Sequence, residues 1–191
     1  MNNITFTSNI RPVSKFEFNN IVSSYGSKNH VGYPWTIKES VCSNKAYTRD
    51  IADCTVCGIT DGMKVLLMHL CPTEKINFDF KKVINLVKEK FNLQSPDLQG
   101  IIIGGKPPYT HGTDSYKLFN LFEDFLSSYQ IPFSKFKGGM GTRDVAYSSI
   151  KDEWIIANDS FSLNNNQPIQ KAMEDCYEEV KIADCDDLCW F

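Results

Sequence analysis

The pair Asp61-Gly62, set between two apolar runs of strand length, constrains this chain more than any other feature. Asp-Gly favours a tight two-residue hairpin, because both residues tolerate the positive φ that such turns demand. Residues 54–59 (CTVCGI) and 64–69 (KVLLMH) flank it. Centring the turn on Asp61-Gly62 pairs these runs so that Cys54 stands beside His69. A thiol next to an imidazole is the minimum equipment of a cysteine nucleophile, since the histidine takes the thiol proton and later returns it to a leaving group. Thr48 lies six positions before Cys54 on the strand-like run that leads into the hairpin.

With 191 residues, 42% of them hydrophobic and 23% charged, the chain is long enough for one domain with a sizeable core. A formal net charge of -3 and the lack of a long basic run give no footing for nucleic acid as a partner. No apolar run approaches the roughly 18 residues of a membrane-spanning helix. The opening MNNITFTSNI has no basic segment followed by an apolar one, so no cleavable signal peptide is expected. Seven cysteines, at positions 42, 54, 57, 71, 176, 185 and 189, cannot pair off completely within a monomer, which favours a reducing compartment. The expected location is the cytoplasm.

Along the chain, residues 1–35 mix isolated apolar positions with Ser, Asn and Gly and read as an N-terminal arm crossing the surface before the first regular element. Residues 36–158 form the domain. After the first hairpin, apolar positions at Phe80, Val83, Ile84, Val87 and Phe91 have helical spacing. Residues 99–105 (QGIIIGG) read as a buried strand ending in a turn, and 114–130 as a second helix stopped by Ile131-Pro132. A strand near 133–136 follows, then a hairpin of 145–149 and 154–157 around a Lys151-Asp152-Glu153 turn. This order is α/β or α+β with mixed pairing. Residues 159–191 form a C-terminal tail, with a helix expected over 169–182.

This succession resembles the CheD family of chemoreceptor glutamine deamidases and, more distantly, the catalytic domains of the cytotoxic necrotising factors. The resemblance spans about residues 45–157 and rests on two blocks: Thr48, Cys54, Asp61-Gly62, His69, Leu70 and Pro72, then Ile103-Gly104-Gly105, Gly138-Gly139 and Arg143. Cys71 is an extra residue between the Leu and the Pro. The resemblance implies an α+β fold of layered mixed sheets, sandwich-like and flanked by helices. It also implies a protein-glutamine deamidase that needs neither metal nor cofactor. Cys54 would be the nucleophile, His69 the base and then the acid, and Thr48 the group that orients the imidazole. Backbone N–H groups around Asp53 and Thr55 would form the oxyanion hole. Gly104, Gly105, Gly138, Gly139 and Arg143 would shape the substrate loops. The substrate would be a protein presenting a glutamine side chain, either a chemoreceptor or a host signalling protein met by a bacterial effector or toxin.

Two other classes fit parts of the pattern. Cys54, Cys57, His69 and Cys71 are four residues of zinc-ligand type, although positions three apart on a strand, such as Cys54 and Cys57, face opposite ways. A domain of the same fold that only binds a partner would need no activated thiol. The acidic Asp53 opposes thiolate formation unless it faces solvent or a cation such as Arg49. His30 and His111 read as structural.

Overall fold

Two β-sheets face each other through a core to which a single tryptophan, Trp154, contributes the largest fully buried side chain. The computed structural model describes residues 7–32, 40–52, 54–71, 80–104, 113–137, 142–158 and 177–180. Sheet I has the order β1-β10-β9-β4-β2, built from β1 (Asn9–Val13), β2 (His30–Val31), β4 (Lys45–Ile51), β9 (Arg143–Ser148) and β10 (Glu153–Asn158). Sheet II has the order β11-β8-β7-β5-β6-β3. Its strands are β3 (Val41–Ser43), β5 (Thr55–Thr60), β6 (Val65–Leu70), β7 (Gln99–Gly104), β8 (Phe133–Lys137) and β11 (Tyr177–Val180).

Both sheets are mixed: β1 with β10, β2 with β4 and β7 with β8 run parallel, and the remaining pairs antiparallel. Helices α2 (Phe80–Lys90) and α3 (Thr113–Ser128) cover the outer face of sheet II through Val83, Val87, Phe119, Phe122 and Leu126. Helix α1 (Lys15–Ser23) covers sheet I through Phe18 and Val22. The fold is therefore α+β, two mixed sheets layered between helices, as expected.

Strand alternation sorts the side chains into these layers. On β5 and β6, Val56, Val65 and Leu67 point toward sheet I, whereas Cys57, Ile59, Leu66, Met68 and Leu70 point toward the helices. Gly58 takes the sheet I side, where a Cβ would stand 2.2 Å from the Trp154 ring, so the indole occupies the space of the missing side chain.

Two expectations are corrected. Within the span expected to cross the surface before the first regular element, the described residues 7–32 already form regular elements: β1 pairs in parallel with β10, α1 packs on sheet I with Ser14 capping it through a 3.1 Å bond from the Glu17 N–H, and β2 pairs with β4. Short elements of this kind carry too few apolar positions to show a period. Within the span expected to be helical, Tyr177–Val180 is a strand laid antiparallel on β8, where the open edge of the sheet supplies hydrogen-bond partners that a helix would leave unused. The remainder of the C-terminal tail lies outside the described residues.

Candidate active site

The β5–β6 hairpin sets the register of the site. Its turn centres on Gly62-Met63 and not on Asp61-Gly62. Gly62 has φ 81°, Met63 is not among the residues of positive φ, and Asp61 N–H donates to Lys64 O at 3.4 Å, the pattern of a type II′ turn with glycine first. The Asp61 carboxylate accepts from the Met63 and Lys64 N–H groups at 3.0 and 2.9 Å, which holds the aspartate outside the two-residue loop. Moving the turn by one residue moves the pairing by two. Val56, not Cys54, lies opposite His69, and Thr55 lies opposite Leu70. Cys54 is the residue just before β5, and alternation carried one step past the strand would set it on the face of Val56, diagonal to His69. Diagonal positions on one face are within reach of a long or ring side chain.

His69 ends β6 on the face turned to sheet I and is 1% exposed. There its Nδ1 lies 2.6 Å from the hydroxyl of Thr48, which is fully buried on β4. The same hydroxyl donates its proton to the carbonyl oxygen of Val31 at 2.8 Å. A hydroxyl has one hydrogen, so the Thr48–His69 bond runs from Nδ1–H to Oγ1. The neutral ring therefore carries its proton on Nδ1 and keeps Nε2 as its basic nitrogen. Burial, with the nearby His30 adding to it, pushes the His69 pKa down to about 3, so the ring is neutral at physiological pH.

A β-bulge brings the chain from Thr48 to Cys54. Thr48 pairs with Val145 and Ile51 with Arg143, leaving Arg49 and Asp50 opposite Asp144 alone. Thr48 and Ile51 are an odd step apart and still both face the inter-sheet core, because the extra residue resets the alternation. Asp50 adopts φ 57°, and its N–H donates to the Asp144 carboxylate at 2.8 Å. Asp144 is in turn held by Lys15 of α1 at 2.8 Å. Arg143, 3% exposed, follows the alternation of Val145 and Tyr147 and so turns toward the interior at this end of the sandwich.

Cys54 is 6% exposed and Thr55 is sealed. Gly104, at the end of β7, has φ 117°, and a Cβ there would stand 2.1 Å from the Cys54 carbonyl oxygen. Asp53, Gly105, Gly138 and Gly139 lie outside the described residues, as does His111. Arg49, considered above as a counter-ion for Asp53, stands over the Tyr47 ring at 5.7 Å. His30 stacks on Tyr47 with centroids 4.7 Å apart.

The four-ligand zinc cluster does not assemble. Cys57 is fully buried on the helix side of sheet II, opposite to the face of His69, and burial pushes its thiol pKa far up. Among the described residues no group of three or more His, Cys, Asp or Glu side chains is placed to hold a metal ion. No helix among them is long and apolar enough to cross a membrane.

Sequence reasoning missed the carbonyl of Val31, the bulge and the Lys15–Asp144 pair. A backbone acceptor leaves no mark in a sequence, and Lys15 and Asp144 are far apart along the chain. In comparisons with known proteins, no family model and no curated protein matches the chain.

Proposed function

We propose that the protein is a cysteine hydrolase that deamidates glutamine side chains of a protein substrate, related to the CheD and cytotoxic necrotising factor deamidases. The observation that carries this reading is the buried Val31–Thr48–His69 relay, which fixes the tautomer of a neutral histidine on the strand paired with β5, the strand that Cys54 immediately precedes. The bond to Thr48 would also satisfy a purely structural histidine; what gives it a catalytic use is the tautomer it leaves, with Nε2 as the basic nitrogen.

In the proposed reaction Cys54 Sγ attacks the carboxamide carbon while His69 Nε2 takes the thiol proton. The proton then passes to the amide nitrogen, the C–N bond breaks and ammonia leaves. A thioester remains. Water, deprotonated by His69, attacks it, the C–S bond breaks, and glutamate and the thiol are released. The backbone N–H groups of Cys54 and Thr55, at the entry to β5, are suited to bind the oxyanion, and the resemblance adds that of Asp53. The cation of Arg143 and the turn at Gly104 belong to the same end of the sandwich and would bound the substrate channel.

The substrate class rests on the resemblance: an exposed glutamine on a protein, whether a chemoreceptor or a host signalling protein. The test is ammonia release together with glutamine-to-glutamate conversion in peptide maps, using panels of both protein types with the wild-type chain and Cys54→Ala. Conversion that vanishes in the variant supports the reading. Equal conversion by both proteins, or a Cys54 thiol that iodoacetamide modifies at the same rate in wild type and in His69→Ala, overturns it.

A further inference from the structure

The β5–β6 ladder ends at Thr55 with Leu70, and Cys54 and Cys71 are the next residue of the chain beyond it on either side, facing positions if the pairing is carried one step further. The type of that position follows from the turn. Asp61 and Lys64 are hydrogen-bonded across the hairpin, so hydrogen-bonded and non-hydrogen-bonded pairs alternate outward from them. Thr55 and Leu70 fall on a hydrogen-bonded pair, and positions 54 and 71 on a non-hydrogen-bonded one. Such pairs bring Cα atoms to about 4.5 Å with side chains close together, inside the roughly 4.4–6.8 Å that disulfides span. Alternation carried one step past the strands would turn both side chains to the same face, that of Val56 and His69. Cys57, on the opposite face and fully buried, is not an available partner, and Cys42 lies far along β6, opposite Leu66. Cys54 keeps a small opening to solvent and Cys71 is half-buried, and both are thiols in this structure.

We propose that Cys54 and Cys71 form a modification site: a peroxide oxidises Cys54, and Cys71 resolves it into a disulfide that shuts the site reversibly. This rests on the reading of Cys54 as a reactive thiol beside His69. In the first step the Cys54 sulfur attacks a peroxide oxygen and the O–O bond breaks. The thiol proton leaves with the other oxygen, giving a sulfenic acid and water from hydrogen peroxide. In the second step the Cys71 sulfur attacks the Cys54 sulfur, the S–O bond breaks, and the hydroxyl leaves as water with the Cys71 proton. Two thiols lose two electrons and one peroxide gains them. While the disulfide stands, Cys54 has no nucleophilic lone pair for a carboxamide, and a dithiol restores it.

The experiment treats the full chain with hydrogen peroxide, blocks remaining thiols with iodoacetamide and maps peptides without reduction, in wild type, Cys71→Ser and Cys71→Ala. The expected result is a Cys54–Cys71 cross-linked peptide in wild type, lost on adding dithiothreitol. The Cys71 variants should instead accumulate dimedone-reactive sulfenic acid on Cys54, and neither should lose alkylation reactivity at Cys54 before oxidation. Equal dimedone labelling with and without Cys71, a cross-link to another cysteine, or no cross-link overturns the proposal. The parent reading is scored separately from the unoxidised samples, by whether rapid alkylation of Cys54 depends on His69. A His69-dependent thiol with no cross-link defeats only the switch, and a cross-link with no such dependence defeats only the nucleophile.

Discussion

Gly104 and Cys54 are packed backbone to backbone: a Cβ on Gly104 would stand 2.1 Å from the Cys54 carbonyl oxygen, and Gly104 itself holds φ 117°. The glycine is required twice, for its conformation and for the space it leaves. Gly104→Ala is therefore expected to displace Cys54. Deamidase activity and the alkylation advantage of Cys54 should fall more than tenfold, with a stability loss of about 1–3 kcal/mol. Urea unfolding and iodoacetamide kinetics on the same sample check this, and an unchanged thiol rate would refute it.

The Thr48 hydroxyl links the His69 ring to the Val31 carbonyl. Thr48→Val keeps the shape and removes the link, leaving the carbonyl and Nδ1 to be buried without it. Stability should fall by about 1–3 kcal/mol, and kcat should fall while KM changes little, because the base is misoriented and not the substrate. Thr48→Ser, which retains the oxygen, should recover most of the rate.

The low pKa of His69, about 3 against an ordinary 6.5, gives stability a direction with pH. The unfolded chain binds the proton more readily than the folded one. The contribution is complete above pH 6.5 and is lost as pH falls toward 3, by about 1 kcal/mol for each pH unit. His69→Gln should flatten that part of the stability profile, measured by denaturant unfolding from pH 7 to 4. The acid limb of activity should lie below the ordinary histidine range for the same reason.

Asp144 holds the bulge between Thr48 and Ile51 by accepting the Asp50 N–H and pairing with Lys15. Asp144→Ala should loosen β4 beyond Thr48 and lower activity more than Lys15→Ala does, since only the first removes the acceptor. Asp50→Gly, which relaxes φ 57° without touching that acceptor, should leave activity near wild type. Hydrogen exchange at the Asp50 amide reads the difference directly.

In the inter-sheet core, Gly58→Ala forces the Trp154 ring out of the space it fills, 2.2 Å from the new Cβ. A loss of about 1–3 kcal/mol is expected, with a shift in Trp154 fluorescence. The remedial double variant Gly58→Ala with Trp154→Phe should regain part of it.

Periodicity was a sound guide wherever one element carried a full apolar face. Val83 and Val87 of α2, and Phe122 of α3, are buried where helical spacing places them. The strands at Gln99–Gly104 and Phe133–Lys137 stand where short apolar runs suggested. It failed for β1, β2 and β3, whose few residues hold too little pattern, and for Tyr177–Val180, where an open sheet edge outweighed helical spacing. The residue types of the candidate site, Thr48, Cys54 and His69, were also legible from their spacing. The contact of Thr48 with His69, expected from the resemblance, is present at 2.6 Å; the register of Cys54 was not legible, since centring the turn on Asp61-Gly62 put it directly opposite His69 and the ladder puts Val56 there.

By itself the sequence determined which residues could carry chemistry, that a tight hairpin joins them, and that helices and strands mix in one α+β unit. Those properties are local: side-chain chemistry, turn preference and apolar period act over a few residues. Only the tertiary structure decided the register of β5 on β6, the bulge that turns Thr48 inward, and the Val31 carbonyl that sets the His69 proton on Nδ1. Each of these depends on which strands lie side by side. That is settled by packing two sheets around Trp154, with segments far apart in the chain competing for the same hydrogen bonds and the same space.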